Sequence, residues 1–133
     1  MTSPAIFVLS ALVGLPVVTS ATNSLEILAM GCRGAIAAEM GRDPRTMSVT
    51  PREDLMVLSY RRPDDRTLWC VVCRLGGADA PGGGTVIEWA SIRDDGSVGR
   101  WRTDHRHDNQ IIVKQDGKAL VVIRTHPDGS TST

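Results

Sequence analysis

The chain has 133 residues, which is room for one domain. Its 15 Lys and Arg balance its 15 Asp and Glu, so it lacks the overall positive charge with which proteins attract nucleic acids and anionic membranes. Aromatic side chains are limited to three Trp, one Tyr and one Phe, so a core has to be built mainly from aliphatic residues. We therefore expect a small single domain that does not bind nucleic acid.

The N-terminal segment is uncharged and apolar. The run over 4–18 has the length of the central region of a signal peptide and is short for a membrane span of about 20 residues. Thr19 and Ala21 supply small residues for cleavage after Ala21, although the basic start of a typical leader is missing. We interpret 1–21 as a signal peptide or N-terminal hydrophobic segment. An uncleaved membrane-associated segment and an integral core element are the alternatives.

A helix is predicted next. Asn23 followed by Glu26 forms a capping pair that satisfies free backbone donors at a helix start. Gly41 and then Pro44 mark the helix end. Apolar residues recur at spacings of three and four and form one stripe: Leu25, Leu28, Cys32, Ile36 and Met40. A neighbouring stripe of small residues allows another element to approach closely: Gly31, Ala35 and Ala38.

After the helix the pattern changes to a period of two. Strands are predicted over 55–62, 68–75, 85–93, 98–103, 111–114 and 119–124. Tight turns separate them, with Asp116-Gly117 as the strongest hairpin signal, and 128–133 is expected to fray. The predicted fold class is α+β. One N-terminal amphipathic helix packs on a curved antiparallel meander of five to six strands, within a single domain over 22–133.

The three cysteines allow more than one interpretation. Side chains alternate along the strand over 68–75, so Cys73 lies on its apolar face and Cys70 on the other. Because Cys32 stands in the apolar stripe of the helix, a Cys32–Cys73 disulfide would join helix to sheet and leave Cys70 unpaired. The alternatives are free buried thiols, or redox or zinc chemistry at the C-x-x-C spacing of Cys70 and Cys73. That C-x-x-C lies inside a β-run and has no evident further ligands, which favours the disulfide.

The stretch over 99–108 concentrates functional side chains. Arg100, Trp101 and Arg102 could hold an anionic or sugar-like ligand through guanidinium hydrogen bonds and stacking. His105 and His107, which have acidic neighbours, could bind a divalent metal or transfer protons. The simpler interpretation is that Trp101 packs inward while the arginines face water. These five residues are the candidate ligand-binding set.

No motif assigns a reaction. The sequence has no Gly-x-Ser-x-Gly motif, and the glycine-rich stretch over 76–84 lacks the Lys that follows a phosphate-binding loop. Glu88 is the one acid well inside a predicted strand, either at a pocket rim or on a solvated face, and Trp89 on the opposite face favours the second. We predict no catalytic residue, no metal and no cofactor, and we leave enzymatic activity open, with a non-enzymatic role favoured.

Several short motifs occur together with the helix cysteine: Tyr60-Arg61-Arg62-Pro63-Asp64-Asp65, Thr67-x-Trp69-x-x-x-Cys73-Arg74, Gly99-Arg100-Trp101-Arg102 and Asp128-Gly129-Ser130. In this combination, over about 32–130, the chain resembles a loose group of short exported proteins from alphaproteobacteria. The resemblance implies export and a helix-to-strand disulfide, and it implies no activity. The leader without a basic start and the long loop after Leu75 depart from the group's pattern.

These observations predict a small exported, disulfide-stabilised accessory or binding protein of the cell envelope, periplasmic or secreted. Its partner would be an unknown protein or a small anionic ligand. Contact with a membrane is expected only if the N-terminal segment stays uncleaved, and the chain would then be a docked subunit of a membrane complex or particle. A small enzyme with a pocket between helix and sheet is the third class.

Overall fold

The computed structural model describes residues 24–77 and 81–133. Residues 24–40 form the helix α1. The strands are β1 Ser48–Arg52, β2 Leu55–Arg61, β3 Leu68–Leu75, β4 Thr85–Ser91, β5 Gln110–Asp116, β6 Ala119–Thr125 and β7 Thr131–Ser132. Short 3-10 turns lie at Pro44–Thr46 and Pro81–Gly83. The predicted leader over 1–21 and the predicted cap at Asn23 lie outside the described residues.

The seven strands form one antiparallel sheet in chain order, from β1 at one edge to β7 at the other. Each strand pairs with the next one along the chain, so the sheet is a meander. One helix packed on an antiparallel sheet confirms the α+β class. Within the described ranges, no helix is both long enough and apolar enough to cross a membrane.

Two strands and one loop differ from the prediction. β1 was not predicted because Pro51 and a lack of alternating apolar residues hide it, and both features are tolerated on an edge strand. β7 adds two residues where fraying was expected. The predicted strand over 98–103 is a loop that forms only an isolated bridge, between Ile92 and Val98.

Helix α1 packs against one face of the sheet. Its stripe residues Leu28, Cys32 and Ile36 are buried, whereas Leu25 at the start of the stripe is 46% exposed. A Cβ on Gly31 would lie 2.9 Å from Ile87 Cδ1, so the absence of a side chain there allows the close approach that the small residues predict. The sheet contributes the other half of this core: Met56, Leu58, Tyr60, Val71, Cys73, Ile87, Trp89, Ile111 and Val113.

The predicted disulfide is present. Cys32 and Cys73 are both fully buried and bonded, and their Cα atoms are 5.8 Å apart. Because Cys32 lies in α1 and Cys73 in β3, the bond crosses the interface between helix and sheet. Cys70 is a half-buried free thiol on the other face of β3.

Candidate functional site

The loop over 99–108 runs along the half of β4 that β5 leaves unpaired. The backbone N–H of Gly99 donates to Ser91 O (2.7 Å), and that of Arg102 donates to Trp89 O (2.8 Å). β5 pairs only with Thr85, Val86 and Ile87 of β4. The loop therefore takes the place of a neighbouring strand, which explains why a strand-like pattern is found here without a strand.

Arg100 forms hydrogen bonds that connect the two ends of this loop. Its guanidinium donates two hydrogen bonds to Asp108, at 2.6 Å to Oδ2 and 2.9 Å to Oδ1. Asp108 is the one buried charged side chain in the described part of the chain, and it also accepts from Asp104 N–H at 3.0 Å. The hydrogen bonds from Arg100 lower the pKa of the Asp108 carboxyl below its usual value. This guanidinium is thus occupied by an internal partner.

Trp101 and Arg102 each stack on a different partner. The Trp101 ring lies against Arg74, whose Cζ is 3.8 Å from the ring centroid, and Arg74 donates to Glu88 Oε1 at 2.7 Å. Trp101 is therefore half-buried on the face of the sheet away from α1 instead of packing into the core. Glu88 is accordingly neither a free pocket acid nor fully solvated. Arg102 stacks over Trp89, with its Cζ 5.0 Å from the ring centroid.

The two loop histidines are exposed. The backbone N–H of His107 donates to the backbone oxygen of Asp104 at 2.9 Å. Among the described residues, no three His, Cys, Asp or Glu side chains are grouped closely enough to hold a metal ion. The structure therefore does not gather the five predicted residues on one surface.

A different group of residues forms a concave site where α1 ends. We define the arginine–aromatic site as Met40, Arg42, Tyr60, Arg62 and Trp69, which line a cavity of about 210 Å³. Gly41 adopts φ 64°, and the N–H of Arg42 donates back to Ala37 O at 3.0 Å. This helix-ending turn places Arg42 beside the sheet.

The sheet half of the arginine–aromatic site comes from the β2–β3 hairpin. Tyr60 and Trp69 are direct cross-strand partners, and Arg62 Cζ lies 5.2 Å from the centroid of the Trp69 ring. The pairing of the predicted strands over 55–62 and 68–75 was the signal that could have located this group. The site nevertheless has no short motif, because its residues come from α1 and from two different strand ends.

A second polar cluster joins α1 to the C-terminal strands. Asn109 Nδ2 donates to Glu39 Oε1 at 2.8 Å, and Arg124 donates to the same oxygen at 3.3 Å. His126 Nδ1 lies 2.9 Å from Asn109 Oδ1, and His126 Nε2 lies 3.0 Å from Ser132 Oγ. We name these four residues, Glu39, Asn109, His126 and Ser132, the C-terminal chain. They are too far apart in sequence for any motif to have revealed them.

The polarity of the C-terminal chain follows from Glu39. A carboxylate only accepts hydrogen bonds, so the amide nitrogen of Asn109 faces Glu39 and its oxygen faces His126. His126 Nδ1 must then carry the proton. In the neutral ring, Nε2 accepts from Ser132 Oγ–H.

Comparison with protein-family models, with curated proteins and with solved structures found no match to this chain.

Proposed function

We propose that this chain is an exported, disulfide-stabilised binding protein of the cell envelope that takes a small anionic ligand. The observation that carries the proposal is the fully buried Cys32–Cys73 bond at the centre of the helix–sheet core. Disulfides persist in oxidising compartments such as the periplasm and the extracellular space, and they stabilise domains whose cores are small.

The binding surface in this proposal is the arginine–aromatic site and not the Arg100–His107 loop. Arg100 is neutralised by Asp108, and in the same loop Arg106 pairs with Asp104 at 3.1 Å. In contrast, neither Arg42 nor Arg62 forms a salt bridge within the described ranges. Free guanidinium groups next to exposed aromatic surface favour the binding of anions.

Mass spectrometry of protein isolated from its native cells tests the export proposal. Alkylation without reductant should modify one thiol, Cys70, and alkylation after reduction should modify three. The modified species should be recovered from the envelope or secreted fraction with an N-terminus near Thr22. Three reactive thiols in the unreduced native protein would contradict the proposal, whereas an intact N-terminus in a membrane fraction would support the docked-subunit alternative.

A small enzyme is the second candidate function, because the C-terminal chain has the connectivity of an activated nucleophile. Ser132 Oγ lies 3.0 Å from His126 Nε2, and Asn109 connects the other ring nitrogen to Glu39. A base held in this way takes the proton of a serine hydroxyl when the oxygen attacks an electrophile. This candidate shares no residue with the arginine–aromatic site.

A fluorophosphonate probe tests this second candidate. In the labelling reaction, Ser132 Oγ bonds to phosphorus, fluoride leaves and His126 receives the serine proton. Labelling at Ser132 would support an enzyme if it is abolished in Ser132→Ala and in His126→Ala. The control variant Ser130→Ala should still be labelled. Labelling that is absent, or equal at exposed serines, assigns the C-terminal chain a structural role only.

A further inference from the structure

The lining of the arginine–aromatic site contains two guanidinium groups and no carboxylate. The Nε–H of Arg42 is buried and makes no hydrogen bond to any described residue. The same holds for Arg33 and Arg102, so the position of Arg42 in the cavity lining supports an anion site more than this one nitrogen does. Among the described residues, the Arg62 side chain stacks on Trp69 and forms no salt bridge.

The acidic groups near the arginine–aromatic site offset only part of its positive charge. Asp65 is near enough to Arg62 for the two charges to attract, although its hydrogen bonds go to the Thr67 N–H at 3.0 Å and Thr67 Oγ1 at 2.7 Å. Asp43 pairs with Arg45 at 2.7 Å. The two guanidinium charges exceed the single charge of Asp65 together with the about half a negative charge that the C-terminus of α1 contributes.

The apolar side of the site is an aromatic surface. Trp69 is 39% exposed, and its indole N–H donates to Thr67 Oγ1 at 3.2 Å. The ring therefore offers its π-surface and not a donor to a ligand. Met40 and Tyr60 complete the lining.

We propose that the arginine–aromatic site binds an oxyanion attached to a compact ring, such as the carboxylate, sulfate or phosphate ester of a small cyclic compound. The oxyanion accepts hydrogen bonds from Arg42 and Arg62, and the ring lies against Trp69. The cavity of about 210 Å³ is smaller than the roughly 300–1,000 Å³ of sites that enclose a drug-sized molecule. The ligand is accordingly one or two rings in size, or the terminal group of something larger.

This inference rests on the proposed binding role and does not depend on export. It is therefore tested on the purified full chain with its disulfide intact, and the alkylation experiment can fail without affecting it. The probe is 2-naphthoate. Neutral 2-naphthalenemethanol matches its ring, and acetate matches its carboxylate.

Titrations of ¹⁵N-labelled protein should be followed by NMR at the three tryptophan indole signals, assigned through Trp69→Phe. We expect 2-naphthoate to shift the Trp69 signal saturably with a Kd of roughly 1 mM or tighter, as a ligand of this size allows. The signals of Trp89 and Trp101 should stay in place. 2-Naphthalenemethanol and acetate should each bind at least about tenfold more weakly than 2-naphthoate. Added salt should weaken the binding of 2-naphthoate.

Arg62→Met keeps the apolar stem of the side chain and should weaken naphthoate binding by about tenfold or more. Arg52→Met removes the same charge from exposed edge strand β1 and should leave the affinity unchanged. Equal binding of the acid and the alcohol would overturn the proposal, because it would show an apolar patch without anion recognition. Equal losses in the two arginine variants, or no saturable shift at Trp69, would overturn it as well.

Discussion

Asp108 shows how one buried carboxylate determines the conformation of a loop. It accepts hydrogen bonds from both terminal nitrogens of Arg100 and from the backbone N–H of Asp104, so it joins the start of the loop to its end. Charge-assisted pairs of this geometry are the strong hydrogen bonds of proteins. Arg100, which makes the loop look like a ligand site in the sequence, thus helps to fold it.

Replacement of Asp108 by Asn should therefore destabilise the domain. The variant loses the charge of the bidentate pair while burying a polar amide, and we expect a loss of about 1–3 kcal/mol in the free energy of unfolding. Urea denaturation monitored by circular dichroism measures it. The control is Asp94→Asn, since Asp94 is an exposed turn residue. Equal stability of Asp108→Asn and the unmodified chain would show that the pair contributes nothing.

The same carboxyl predicts a pH dependence. Because the pKa of Asp108 is lowered by Arg100 in the folded state, its contribution is fully present above the unfolded value near 3.9. That contribution is lost as the pH falls through the lowered folded value. Stability should thus decline from about pH 4 downward, and less steeply for Asp108→Asn. Parallel profiles for the two proteins from pH 5 to pH 2 would contradict this.

Among the elements, α1 depends on small residues for its contact with the sheet. A Cβ on Gly31 would meet Ile87 Cδ1 at 2.9 Å and Val113 Cγ2 at 3.3 Å, and Ile87 is buried. The helix therefore lies closer to β4 and β5 than a larger side chain would permit. The sequence predicted this close approach from the stripe of small residues, without indicating which strands are approached.

Gly31→Val should force the helix and sheet apart. Overpacking of a well-packed core costs about 1–3 kcal/mol, and we expect a decrease of that size in thermal and urea stability. Met30→Val is the matched control, because Met30 is 39% exposed on the same helix and receives the same branched side chain. Since Val has a higher helix propensity than Gly, propensity alone would stabilise Gly31→Val, so an unchanged or higher stability of this variant would show that the contact tolerates the added side chain.

The C-terminal chain holds strand β7 to the rest of the domain. β7 has only two residues, and its backbone pairs with β6 at Arg124 and Thr125. Since Asn109 bridges Glu39 and His126, removing its amide breaks the hydrogen-bonded connection between α1 and His126.

In Asn109→Ala, amide hydrogen exchange of β7 and the end of β6 should accelerate, while the protection of α1 and β3 is retained. Exchange followed by NMR or mass spectrometry reports this directly. Gln110→Ala, at the adjacent position on the opposite face of β5, is the control. Unchanged exchange at β7 would mean that strand pairing alone holds the C-terminus.

At the scale of the whole molecule, local patterns predicted the elements, and long-range contacts were harder to predict. The alternation in β2 and the stripe of α1 depend on burial of one face, so neighbouring residues reveal them. The Cys32–Cys73 pairing could also be predicted, because both partners stand on faces that have to meet. The contact of Glu39 with Asn109 could not, since it depends on how far the meander places β5 from β1.

Reduction of the disulfide should cost the domain a large part of its stability. The bond closes a loop with a sequence separation of 41, for which the chain-entropy model gives about 4 kcal/mol. Domains of this size have only about 5–15 kcal/mol in total. The melting temperature of a Cys70→Ser protein, measured with and without reductant, tests this. A change of less than a few degrees would show that the core is stable without the bond.

The position of Cys70 determines when the disulfide can rearrange. Cys70 and Cys73 lie on opposite faces of β3, so the free thiol cannot reach the buried bond while the strand is intact. Exchange to a Cys32–Cys70 pairing requires that the strand first detach. A Cys32–Cys70 isomer in a preparation of the protein would therefore identify molecules in which β3 had detached.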